Sequence, residues 1–78
     1  MRYPTLEQVD QASKYQLGYW IRFLPSPGME YIGYQNFQEK LDEEVIIMNK
    51  ILEKFNALGG WSLELSKQIG PTGKYFNF

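Results

Sequence analysis

Tyr15, Tyr19 and Arg22 are spaced so that two phenol rings and a guanidinium share one face of a helix. Aromatic faces and arginine forks stack on planar ligands, grip anionic groups and anchor protein interfaces. Two readings of the stripe follow. In one it is a platform for a planar ligand or a partner chain. In the other Arg22 pairs with an acid such as Glu44, and the tyrosines cover neighbouring segments.

Two further constellations bear on chemistry. Asp42, Glu43 and Glu44 form an acidic run, which on a helix is ordinarily a solvated face rather than a divalent-metal site. Gly59-Gly60 leads into Trp61 and Ser62 ahead of a short apolar-periodic stretch. Such a turn either caps a helix or presents free N–H groups to an anion.

Two residue types that often carry catalysis, histidine and cysteine, are missing, which leaves carboxylate or lysine chemistry as the remaining route. With no histidine and no cysteine, the common general base, the common transition-metal ligand, thiolate sites, disulfides and Ser-His or Cys-His pairs are excluded. No phosphate-binding glycine loop, metal-ligand spacing or calcium loop occurs. The expectation is a protein that is not an enzyme and uses no cofactor. A net charge of -1 argues against extended nucleic acid as partner. Neither early helix carries the reading face of a helix-turn-helix DNA binder.

The elements that must position these groups are helical. From Asn36 to Leu58, helical periodicity places Phe37, Leu41, Val45, Ile47, Met48, Ile51, Leu52, Phe55 and Leu58 in one broad arc. Asn36 and Glu39 have capping-box spacing, and Gly59-Gly60 provides the stop. Glu44 falls inside the apolar arc and should lie at its rim or be paired, because an isolated buried carboxylate is costly. Ile46 points out of the arc, either as an isolated surface residue or as part of a contact with another chain.

Ahead of this segment, Thr5 and Gln8 make a capping box for a helix whose inward positions are Leu6, Val9 and Ala12, with Tyr3 stapling back onto Val9. Ser13 and Gln16 repeat the spacing for a second helix, Lys14 to Leu24, with Leu17, Trp20, Ile21 and Leu24 on its core face. Pro25-Ser26-Pro27-Gly28 ends it. Met29 to Gln35 is expected as an ordered loop laying Tyr31, Ile32 and Tyr34 across the bundle. Ser62 caps a last helix from Leu63 to Ile69, ended by Gly70-Pro71.

The predicted fold is all-α: a single domain over 1–78, a small bundle of three to four helices around one long central helix, with an ordered Pro/Gly loop and an aromatic C-terminal tail. The helices fall near 5–12, 14–24, 37–58 and 63–69, and the tail is 71–78. At 78 residues a core alone is marginal, so oligomerisation would help. Six tyrosines in so small a chain point to surface or interface roles, since the phenol keeps a polar tip. The opening residues have no signal-peptide core and no run is long enough to span a membrane, so a cytoplasmic protein is expected.

Two segments, Trp20 to Gly28 (WIRFLPSPG) and Leu58 to Ser62 with Ser66 to Gly70 (LGGWS and SKQIG), join the PT-x-EQ-like opening at Pro4 to Gln8. Together they resemble small proteins encoded by bacteriophages and prophages, although the tail beyond Gly70 departs from shorter members. No catalytic residues carry over from that group. The resemblance implies a phage accessory protein acting in the host cytoplasm. The expected function is non-enzymatic binding of a small host ligand, such as a nucleotide signal, at an oligomer interface, in counter-defence. The alternatives are a module that docks on and inhibits a host protein, and a small virion structural or assembly protein. The candidate binding residues are Tyr15, Tyr19, Arg22, Ser26, Gly28, Tyr31, Lys67, Tyr75 and Phe76.

Overall fold

The computed structural model describes residues 2–69. Four helices follow in order: α1 (Leu6–Gln11), α2 (Lys14–Phe23), α3 (Phe37–Ala57) and α4 (Leu63–Ile69), with one turn of 3₁₀ helix at Met29–Tyr31 between α2 and α3. The described residues contain no strand, and the long central α3 packs against α1, α2 and the 3₁₀ turn. The fold is a small all-α bundle.

The caps explain the boundaries. Thr5 Oγ1 accepts from the Gln8 N–H and the Gln8 side chain accepts from the Thr5 N–H, a complete capping box. Ser13 and Ser62 likewise cap α2 and α4, accepting from Gln16 N–H and Leu65 N–H. Asn36 differs from expectation: its side chain makes no cap hydrogen bond. Its backbone sits at φ -93° and ψ 20°, outside the extended geometry that aims a capping side chain at the first turn. The chain instead enters α3 through a turn in which Phe37 N–H donates to the Tyr34 carbonyl at 3.1 Å.

At the other end, Gly60 N–H donates to the Phe55 carbonyl at 2.9 Å and Gly59 N–H to the Asn56 carbonyl at 3.1 Å. With Gly59 at φ +108°, this is a Schellman closure, and it corrects the anion-cradle reading: both amides are turned back into α3.

The helix directions follow from side-chain meetings. Gly18 of α2 lies against Phe55 near the end of α3, while Gly28, beyond α2, lies against Leu41 and Phe37 near its start, so α2 and α3 are antiparallel. Leu6 borders Ile46, and Lys54 Nζ donates to the Asp10 carbonyl at 2.9 Å, so α1 runs parallel to α3. The helix α4 packs on α2. A Cβ on Gly18 would stand 2.9 Å from Ile69 Cδ1 and 3.1 Å from Phe55 Cε1, so the missing side chain lets α4 and α3 meet over α2.

The core is Tyr3, Val9, Leu17, Leu24, Ile51, Phe55 and Leu65. Tyr3 and Val9 are both among its buried residues. Burying each such side chain stabilises by about 1.5–3 kcal/mol. The apolar arc of α3 is wider than its cover: Ile51 and Phe55 are buried, whereas Val45, Leu52 and Leu58 stay exposed. The Cα trace extends 42 × 28 × 14 Å, a thin arrangement that encloses a small core.

The loop after α2 also differs from expectation. Tyr31 is half-buried, but Ile32 and Tyr34 are 69% and 64% exposed and do not lie across the bundle. The reason is local, since Gly28 at φ +78° feeds a 3₁₀ turn whose short repeat leaves one inward position.

Candidate functional site

The expected stripe on α2 is divided by the tertiary structure. Tyr15 is exposed, and Tyr19 rests its ring on Phe23 of the same helix, centroids 4.7 Å apart. Arg22 leans away from both toward α4. Its guanidinium lies 4.3 Å from the centre of the Trp61 ring, and Nη2 donates to Ser66 Oγ at 3.2 Å. Trp61 in turn meets Phe55 edge-on at 4.9 Å. Arg22 therefore fastens α4 to α2, and the pairing with Glu44 offered by one of the two readings is not formed.

Glu44 is only 8% exposed, and its Oε1 accepts from the backbone N–H of Gly28 at 2.9 Å. A charge inside the apolar arc is thus satisfied by the main chain. Gly28 is consequently architectural, held at positive φ between Leu41 and Phe37. Ser26 is exposed, and its carbonyl accepts from Met29 N–H at 3.0 Å to form the turn. Lys67 is exposed on α4. Tyr75 and Phe76 lie outside the described residues.

Tyr31 is the expected site residue that faces a concavity. A half-open cleft of about 440 Å³ lies between the N-terminal arm and the first half of α3, lined by Arg2, Tyr3, Pro4, Thr5, Tyr31, Lys40, Glu43, Glu44 and Ile47. The Thr5 capping box fixes the start of α1, and Tyr3 anchors the arm by donating to the Pro25 carbonyl at 2.5 Å. The Tyr3 hydroxyl is pushed up to about 12 by burial, with the charges of Glu44 and Glu30 adding to the shift. It remains a neutral donor throughout the physiological range.

One of the two cations lining the cleft, Lys40, is weakly held. Lys40 Nζ is 3.7 Å from Glu43 Oε2 and 5.6 Å from the Tyr31 ring centre, both loose contacts. Tyr31 also meets Tyr34 edge-on at 6.0 Å. The cleft therefore brings a tyrosine ring, two cationic side chains and the exposed Glu43 carboxylate to one lining, with Lys40 between Glu43 and the Tyr31 ring. Sequence reading missed Arg2, Tyr3 and Lys40 as cleft residues. The faint signal for Lys40 was its spacing to Glu43; Arg2 had none, because its place depends on how the arm folds back.

No protein-family model matches this chain, and no curated protein or solved structure shows significant similarity to it. Among the described residues no helix is long and apolar enough to cross a membrane.

Proposed function

We propose that this protein acts by binding and not by catalysis, holding a small planar ligand with an anionic end in the cleft beside its N-terminal arm. A nucleotide has that chemistry. The supporting observation is the convergence of the Tyr31 ring, the Arg2 and Lys40 cations and the Glu43 carboxylate on one cleft of about 440 Å³. The ligand's ring stacks on Tyr31, displacing Lys40 from its long contact over that ring. Its anionic end draws Lys40 and Arg2, and its N–H edge donates to Glu43. The resemblance to small phage proteins supplies the setting: an accessory protein of the host cytoplasm, working as an oligomer and sequestering a host nucleotide signal in counter-defence.

A thermal-shift screen against linear and cyclic nucleotides tests the reading. A true ligand at 100 times its dissociation constant stabilises by about 2.7 kcal/mol. Tyr31→Ala and Lys40→Glu should abolish the shift, and Arg22→Ala should leave it intact. Absence of any shift across the panel removes this reading.

A second reading, a module that docks on and inhibits a host protein, is favoured by Met29, Ile32 and Tyr34, three large exposed side chains on one short loop. Loss of a captured host protein on Ile32→Glu, with nucleotide screens silent, would select it.

A further inference from the structure

A second concavity lies between α1 and α3. Leu6 of α1 and Ile46 of α3 are 47% and 57% exposed, and both line one shallow groove of about 500 Å³. Ile46 is the residue that points out of the apolar arc of α3, so no repacking of the core can cover it. Two aliphatic side chains from two elements converge here on water. That marks a contact surface more strongly than scattered exposed residues do.

We infer that this groove is the interface between two copies of the chain, related by a two-fold axis that sets Leu6 of each copy on Ile46 of the other. A two-fold contact requires a self-complementary patch, which at this rim means Lys50 of each copy meeting Asp10 of the other. The rim carries Asp10 and Glu53 on one side of the charge balance and Lys50 on the other. Lys50 is held only by a 3.7 Å contact to the exposed Glu53, and the Asp10 carboxylate has no ion-pair partner among the described residues. Both are available to a neighbouring copy. A net charge of -1 sets up little repulsion between copies. A thin arrangement with a seven-residue core also gains from burying a further apolar surface.

The groove adjoins the cleft: Thr5 and Ile47 line the cleft, and their neighbours Leu6 and Ile46 line the groove. Dimerisation through the groove brings the two clefts near the axis. The inference rests on the oligomer part of the proposed function and not on the identity of the ligand.

The test is the mass of the full chain in solution, by light scattering and native mass spectrometry over a dilution series. The wild-type protein should be twice the mass of one chain. Ile46→Glu should raise the dissociation constant about a hundredfold or more, with helical content unchanged. Ile32→Glu, on a different surface, should leave the dimer intact. Lys50→Glu should weaken self-association and recover it when mixed with Asp10→Lys. A wild-type monomer at every concentration overturns both this interface and the oligomer reading. A wild-type oligomer whose mass is indifferent to Ile46→Glu overturns the interface alone. Capture of a different protein by the wild type but not by Ile46→Glu, with no self-association, also overturns it and assigns the groove to that partner.

Discussion

The carboxylate of Glu44 accepts a hydrogen bond from the backbone N–H of Gly28 at 2.9 Å, tying the loop after α2 to the middle of α3. Removing the carboxylate leaves a buried N–H unsatisfied, which costs about 1–3 kcal/mol. Glu44→Ala should lower the urea midpoint accordingly, and Glu44→Gln, which keeps an acceptor oxygen, should recover most of the loss. Gly28→Ala should cost at least as much, because its φ is +78° and the new Cβ would stand 3.0 Å from Leu41 Cδ1.

Arg22 is a clamp for α4. Arg22→Ala should reduce stability by about 1 kcal/mol through the lost cation–π contact and packing. The emission of Trp61 should move to the red as its ring gains water. Arg22→Lys should not restore the contact fully, since the ammonium lacks the planar face that lies over the indole.

Tyr3 makes alkaline stability measurable. Its folded-state value of about 12 lies above the ordinary 10, so between those pH values the folded protein holds the proton more tightly than the unfolded chain does. The stability it contributes is complete below pH 10 and is lost as pH rises toward about 12, a total on the order of 3 kcal/mol at most. Denaturation followed against pH should show that fall, and Tyr3→Phe should flatten it. Absorbance titration should show a phenol ionising near pH 12 that Tyr3→Phe removes.

The caps separate two positions that look alike in sequence. Thr5→Ala should cost about 1 kcal/mol, because Thr5 completes a capping box. Asn36→Ala should change stability by no more than about 0.5 kcal/mol, since its side chain makes no cap hydrogen bond. Paired thermal melts decide between them.

Most of the architecture was legible from local signals. Helix periodicity, Ser and Thr caps and paired glycines are interactions between residues close in sequence, and the boundaries they imply fall within a residue or two of those observed. The candidate site was far less legible. Of the expected residues, Tyr31 lines the cleft, while Arg22 and Gly28 make contacts within the fold. Contacts such as Arg22 over Trp61 and Tyr3 to Pro25 span long stretches of chain, and no local spacing announces them.

The sequence by itself determined that the chain forms an all-α bundle with α3 at its centre, and that no histidine or cysteine chemistry is open to it. Those conclusions depend on residue type and short-range periodicity, which any folded arrangement must respect. Only the tertiary structure decided the partner of Glu44, the role of Arg22 and the place where a ring, two cations and a carboxylate meet. The same apolar arc on α3 is compatible with several placements of its neighbours. The choice among them rests on packing against Gly18, on the Gly28 turn and on the way the N-terminal arm folds over α3.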